Sequence, residues 1–160
     1  MTTPLYEFAI VGGGMAGASV AYRLAPSASV VLLERESQPG YHTTGRSAAM
    51  FMESYGPPGV RALTRASRHF YTAPPPQFSA HSLLSPRGAL YVAQQDQAEA
   101  LRHVAEELGQ SIPNLAHLSA QQTLALAPCL KPDQLLGALW DPDSQDIDVN
   151  ALLQGFLKGF

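Results

Sequence analysis

Apolar positions along the chain fall into short continuous runs and helix-spaced stripes, and their order predicts the architecture. Tyr6 to Val11 is a short apolar run ending in glycine, which reads as a buried strand. Met15 to Leu24 follows with small residues at Ala16, Gly17, Ala18 and Ala21, a helix that Pro26 and Ser27 break. Ser29 to Leu33 is a second buried run, and it ends in Glu34-Arg35-Glu36. Strand, helix and strand with tight connections make a βαβ unit, whose two strands run parallel as neighbours. Past Pro39-Gly40 the segment YHTTGRSAAMF keeps neither period, and it predicts a polar loop that turns helical near Ser47.

Pro57 and Pro58 open a helix that runs to about Tyr71. Val60, Leu63, Ser67 and Phe70 are its expected inner face, and Arg61, Arg65 and Arg68 its solvated one. Gly88 to Gln94 reads as a strand. Asp96 and Glu99 have capping-box spacing, ahead of a helix that buries Leu101, Val104, Ala105 and Leu108 and stops at Gly109. Ser119 and Gln122 start a shorter helix that Pro128 stops, and Leu135 to Trp140 is another strand. Asp148 caps a last helix with an apolar stripe of Leu152, Leu153, Phe156, Leu157 and Phe160. The stripe runs to the final residue with no closing cap, so the chain is expected to be the N-terminal portion of a longer one. The fold class is α/β, a Rossmann-like βαβ unit with part of an α+β second domain. The expected segments are 1–56 (dinucleotide-binding), 57–145 (part of a substrate domain) and 146–160 (a return helix to the first domain).

Composition narrows the function classes. Of 160 residues 46% are hydrophobic, enough for one ordinary core or part of a larger one. Only 14% are charged, and the net charge of −3 offers no footprint for nucleic acid. No apolar run approaches the roughly 18 residues of a transmembrane helix. MTTPLYE lacks the basic and apolar regions of a secretory signal. Cys129 is alone, which excludes an internal disulfide and suits a reducing compartment; it is expected to be a small buried hydrophobe. A cytoplasmic location follows, with peripheral contact at the inner face of a membrane left open.

The chemistry lies in the glycines. Gly12-x-Gly14-x-x-Gly17 sits where a strand enters a helix. The first glycine permits the tight turn, the second lets a pyrophosphate approach the backbone, and the third lets the helix lie close to the strands. The helix N-terminus offers unpaired N–H groups to the anion. Glu34 closes the next strand 22 residues after Gly12, where an acid accepts hydrogen bonds from ribose hydroxyls. A bound dinucleotide follows. HTTGRSAAM then intervenes where a nicotinamide-binding domain would proceed to its third strand, and its small and hydroxylated residues suit a second stretch of cofactor.

Together with this turn, the Glu34-Arg35 pair and QPGYHTTGRSAAM resemble the FAD-dependent amino acid oxidases and dehydrogenases of the D-amino acid oxidase family. RALTRASRHFY, HSLLSPR and DIDVNALLQGFLKG extend the likeness over essentially the whole chain, and its nearest branch is the D-arginine dehydrogenases. The resemblance implies a two-domain flavoenzyme that moves a hydride from the Cα of an amino acid, of D configuration, to flavin N5. It implies that Gly12, Gly14, Ala16 and Gly17 hold the pyrophosphate of FAD, and Glu34 and Arg35 its adenosine. Thr43, Thr44, Gly45, Arg46, Ser47, Ala48, Ala49 and Met50 would line the ribityl and ring portion, and Tyr55 would reach the substrate. On its residues alone, Tyr55 reads as a loop aromatic packed under Pro57-Pro58.

The likeness breaks at three points. Met50 stands where those dehydrogenases are expected to carry histidine, and a thioether cannot exchange a proton. Either solvent takes the amine proton or activity is reduced. Ala89 stands where the arginine-specific branch is expected to carry a glutamate, which implies a smaller or less basic substrate; read alone, Ala89 is an inert strand residue. The family's chain is also more than twice as long, and the missing part would complete the FAD sheet and supply an arginine for the substrate carboxylate. Rival readings are a nicotinamide-dependent dehydrogenase and a non-catalytic fragment unable to hold cofactor alone. Which acceptor reoxidises the flavin is open. His42, His69, His81, His103 and His117 show no metal-ligand spacing, so no metal is expected. DPDSQDIDVN lacks the glycine and final glutamate of a calcium loop and reads as a turn with a helix cap.

Overall fold

Two short apolar runs pair as their pattern predicts, β1 (Phe8–Val11) parallel to β2 (Val30–Leu33) with Phe8 opposite Val30 and Val11 opposite Leu33, but neither is buried as expected: Val11 is 86% exposed and Leu33 52%. This is seen in a computed structural model that describes residues 4–160. Glu7 and Ser29 latch the start of the pair. The Glu7 carboxylate accepts from the Ser29 N–H at 2.8 Å, and the Ser29 hydroxyl accepts from the Glu7 N–H at 3.1 Å. Between the strands runs α1 (Met15–Leu24), which buries Ala18 and Ala21.

After β2 come a 3-10 turn (Thr44–Arg46), β3 (Met50–Phe51), α2 (Pro58–Thr72), β4 (Leu84–Pro86) and β5 (Ala89–Gln94). A second 3-10 turn (Gln95–Gln97) leads into α3 (Ala98–Gly109), followed by β6 (Ala116–Ser119), α4 (Ala120–Leu126), β7 (Leu135–Asp141), β8 (Gln145–Ile147) and α5 (Val149–Lys158). The sheets are β1–β2, β3–β8–β4 and β5–β7–β6. The chain divides into two units. The first takes the described residues up to Ala49 with Arg68–Ser85 and Ile147–Phe160; the second takes Met50–Ser67 and Pro86–Asp146.

The first unit has an aromatic core. Phe78, Leu83 and Leu152 are buried, with Met15, Tyr22, Phe70, Tyr71 and Phe156 packed around them. The Phe78 ring meets Tyr22, Phe70 and Phe156 edge-on at centroid distances of 5.6, 4.9 and 5.0 Å, the arrangement the ring quadrupoles favour. Gly155 of α5 lies under that ring, and a Cβ there would overlap it. α5 begins as predicted, the Asp148 carboxylate accepting from the Ala151 N–H at 2.8 Å. It buries Leu152 and Leu153 and ends at Lys158, so Phe160 lies beyond the helix and is exposed.

In the second unit β7 is the central antiparallel strand, with β5 on one side and β6 on the other. α3 and α4 both pack on β7. The Ser119–Gln122 capping box forms as its spacing predicts, the Ser119 hydroxyl accepting from the Gln122 N–H at 3.2 Å.

Several expectations are corrected. The helical turn of the loop is Thr44–Arg46, ahead of Ser47, whose own backbone is extended. The capping box before α3 is Gln94 with Gln97, not Asp96 with Glu99. A register shift at Ala93/Gln94 and the Gln95 N–H bond to the Gln134 carbonyl turn the chain before Asp96 is reached. At the start of α2 the expected faces fail, with Leu63 71% exposed and Arg61 only 6%, whereas Arg65 is exposed and Phe70 packs on the core as expected. Arg61 can be buried because its guanidinium donates to Glu107 at 2.7 Å, which supplies the opposite charge that burial demands. Cys129 is exposed, in the segment between α4 and β7. β3, β4, β6 and β8 are too short to show a period, and the hydrophobic pattern did not predict them.

Candidate functional site

The turn from β1 into α1 is built as the three glycines require. Gly12 has φ +101°, open to glycine but strained for other residues, with nothing near the space a Cβ would take. A Cβ on Gly17 would overlap the Gly12 carbonyl oxygen, so the helix lies against the turn only because Gly17 has none. Gly14 is the N-cap and brings no side-chain acceptor. Thr44 supplies one from the later loop: its hydroxyl accepts from the Met15 N–H at 2.9 Å. That oxygen keeps its own hydrogen to donate. The N–H groups of Ala16 and Gly17 precede Ala18, the first helical donor, whose N–H reaches the Gly14 carbonyl at 2.9 Å.

Glu34 closes the far side of this cradle. One carboxylate oxygen accepts from the Gly13 N–H at 2.7 Å; the other accepts from the N–H groups of Arg35 and Glu36 at 2.7 and 3.0 Å. These bonds, that from Glu36 foremost and then that from Gly13, hold the Glu34 carboxyl below the ordinary glutamate value of 4.5. A carboxylate has about four acceptor positions, and the oxygen bonded to Gly13 keeps room for a hydroxyl donor. Arg35 turns to Glu36, donating at 3.0 Å, and His42 meets the same Glu36 oxygen at 2.9 Å.

Of the loop residues named in the sequence, Thr44 reaches the glycine turn. Gly45 closes the loop on itself through its N–H to the Gly40 carbonyl at 2.8 Å, and the Ser47 hydroxyl donates to the Thr44 carbonyl at 3.2 Å. The Arg46 guanidinium lies over the Tyr41 ring at 5.3 Å. Ala49 is in the left-handed region, φ 54°, uncommon for a residue with a Cβ, and its carbonyl accepts from the Ile147 N–H at 2.7 Å. Among the described residues no cluster of His, Cys, Asp or Glu side chains could hold a metal ion. None of the helices there is long and apolar enough to cross a membrane.

Met50, Tyr55 and Ala89 fall in the second unit. Met50 stands opposite Asp146 in the β3–β8 ladder, and Arg87 donates to Asp146 at 2.6 Å. Ala89 opens β5 opposite Asp141; just before it, Gly88 (φ +82°) leaves room for the Trp140 ring, which a Cβ would overlap. Tyr55 sits in the turn between β3 and α2 and is 67% exposed.

Beside them lies a buried polar cluster that the sequence reading missed. Asp141 is 1% exposed. Its carboxylate accepts from the Ser54 hydroxyl at 2.5 Å, the Ser144 hydroxyl at 2.8 Å and the Asp143 N–H at 3.1 Å. Tyr91 donates to the Ser54 oxygen at 2.9 Å. Burial raises the Tyr91 phenol above its ordinary 10.0; the Asp141 charge pushes the same way, and the Ser54 bond opposes it. Gly13, the middle glycine that donates to Glu34, was missed as well. Its signal was its place inside the glycine triplet, whereas nothing near Asp141 in the chain announces partners so far away.

Residues 7–160 match the family described as DAO, FAD dependent oxidoreductase. Among curated relatives, L-2-hydroxyglutarate dehydrogenase of Escherichia coli (strain K12) is 43% identical over 49 residues, 29% of this chain and 12% of that protein. The solved glycine oxidase of Geobacillus kaustophilus superposes with a TM-score of 0.78 at 22% identity, over 96% of this chain and 44% of its own. Glycine oxidase of Bacillus cereus ATCC 14579 gives 0.74 at 22%, over 97% and 43%. These superpositions show a shared fold, and the chain spans less than half of each of these proteins. The open Gly12 face, the first-turn N–H groups, the Thr44 hydroxyl and the lowered Glu34 carboxyl fit the two phosphates and a ribose of FAD.

Proposed function

The chain belongs to the DAO family of FAD-dependent oxidoreductases, and from that premise we propose that it serves an enzyme oxidising a neutral D-amino acid to its imino acid. The observation that carries the cofactor half of this reading is the meeting of Glu34, Gly13, Met15 and Thr44 around one helix N-terminus. The fold likeness to two glycine oxidases and the tyrosine at 55 support the amino acid half, and the alanine at 89 is what makes the proposed substrate neutral.

The residues divide the work. Backbone N–H groups of the Gly12, Gly14, Ala16 and Gly17 turn and the Thr44 hydroxyl hold the pyrophosphate, and Glu34 accepts from the ribose. Arg35 would hold the adenosine, and Thr43 to Met50 would line the ribityl chain and ring. Bound FAD supplies the hydride acceptor, flavin N5. The substrate Cα–H bond breaks as the hydride leaves, and the amine loses a proton to give the imino acid. Water then converts this to a 2-oxo acid and ammonia. Met50 has no proton to exchange, so the amine proton passes to solvent. Tyr55 contacts the substrate. Position 89, an alanine, brings no charge to pair with a cationic side chain, which favours neutral amino acids.

The test is anaerobic loss of visible flavin absorbance in the full-length protein, offered glycine, D-alanine, D-phenylalanine, L-alanine, D-arginine or L-2-hydroxyglutarate. Reduction by one of the neutral D-amino acids or glycine is the expected result. Reduction by L-2-hydroxyglutarate alone overturns the amino acid reading in favour of a hydroxy acid. Copurification with NAD and no flavin overturns the cofactor assignment.

A further inference from the structure

A buried carboxylate in the second unit has a place that neither the cofactor turn nor the residues at 50, 55 and 89 explain. We propose that Asp141 is a positioning residue for the substrate-facing surface, fixing the Tyr55 turn through Ser54 and standing across the sheet from Ala89. This rests on the reading that Tyr55 and Ala89 face the substrate.

Hydrogen-bond directions along the cluster are settled by elementary chemistry. A carboxylate only accepts, so the Ser54 hydroxyl donates to Asp141. A hydroxyl has one hydrogen, so Ser54 in turn accepts from Tyr91, and the order is Tyr91 to Ser54 to Asp141. Ser54 therefore has both its donor and an acceptor position committed, and it is buried within the turn that follows β3. The next residue is Tyr55, whose N–H closes that turn on the Met52 carbonyl at 3.4 Å while its ring stays exposed. Gly56, φ +84°, then leads the chain toward α2. The exposed tyrosine is thus carried next to a buried serine that is tied to a strand 87 residues away in sequence.

The second arm of the argument is register. Ala89 and Asp141 are direct partners in the antiparallel β5–β7 ladder, so their side chains leave the same face. Tyr91, two residues on, shares that face, as its bond to Ser54 requires. One carboxylate therefore stands beside Ala89 in the ladder and, through Ser54, anchors the turn that carries Tyr55. Burying it is costly unless donors compensate it, and its three donors keep the arrangement single.

The experiment uses the full-length, FAD-loaded protein and steady-state kinetics with glycine, D-alanine and D-phenylalanine. Ser54→Ala and Asp141→Asn are expected to raise KM about tenfold with kcat within about twofold and FAD content unchanged. Ser54→Thr, which keeps the hydroxyl, is expected to restore most of the loss. Tyr55→Phe/Ser54→Ala should be no worse than the more affected single variant, because Ser54 acts through Tyr55. An unchanged KM in Tyr55→Phe, or turnover of none of the three amino acids, overturns the substrate-facing reading itself. A raised KM in Tyr55→Phe with an unchanged KM in Ser54→Ala overturns the positioning role alone. A lower melting temperature in Ser54→Ala with unchanged KM does the same and leaves the cluster a purely structural one.

Discussion

Glu34 at the end of β2 accepts the N–H of Gly13 at 2.7 Å, so the acid proposed for the ribose also clamps the middle of the glycine turn. Removing the carboxylate therefore disturbs two things at once. Glu34→Gln in the full-length protein is expected to raise the FAD dissociation constant about tenfold, read as flavin retained after dialysis. Unchanged retention would remove Glu34 from the cofactor site.

The same residue gives a pH dependence with a definite sign. Its folded-state carboxyl lies below the ordinary 4.5, so the stability it contributes is fully present above that value. It is lost as pH falls through the lowered folded value. Glu7 and Glu36 are lowered too, the first by its backbone bond to Ser29 and the second by its bond to His42, and they share this acid limb. Melting temperatures measured from neutral pH into acid should fall less steeply in Glu34→Gln than in the parent. Parallel curves would refute the linkage.

The three glycines of the motif should not be equivalent. A Cβ at 17 overlaps a backbone oxygen that cannot move without breaking the turn, whereas a Cβ at 14 meets the Thr44 hydroxyl at 3.1 Å. Gly17→Ala is expected to cost about 1–3 kcal/mol or more of stability, despite the better helix propensity of alanine. Gly14→Ala should leave the melt nearly unchanged while weakening FAD binding. Thermal denaturation and flavin retention on both variants separate the two effects.

Gly155 is a second place where packing opposes propensity. In an exposed helix Gly→Ala stabilises by about 1 kcal/mol, but the Phe78 ring fills the space here. Gly155→Ala should therefore lower the melting temperature, and Gly155→Ala with Phe78→Leu should recover part of it. A stabilised single variant would show that the ring is free to move.

At position 89, charge has two opposed consequences. Ala89→Glu should raise kcat/KM for D-arginine relative to D-alanine, because a desolvated carboxylate would face the guanidinium. It would also stand directly opposite the buried Asp141, and like charges directly opposite in a ladder are destabilising. Specificity and stability should thus move together, one up and one down. A D-arginine preference of about a hundredfold in the unmodified protein would contradict the neutral-substrate reading.

What the sequence determined by itself were features decided within a few residues of chain. The glycine turn, the Ser119–Gln122 box and the Asp148 cap each bring together groups no more than five residues apart, where local dihedrals alone set the geometry. The parallel pairing of β1 and β2 also follows, since a tight strand–helix–strand crossover permits little else. Tertiary structure decided the partners of polar groups across long separations. Thr44 caps Met15 from 29 residues away, Glu107 neutralises Arg61 from 46 and Ser54 reaches Asp141 from 87. In each case burial removes water from a polar group, and the compensating partner is whichever one the fold delivers, which hydrophobic periodicity does not encode. That is why the sequence predicts a solvated Arg61 and only a turn at Asp141, and why the candidate cofactor turn is legible while the cluster behind Tyr55 is not.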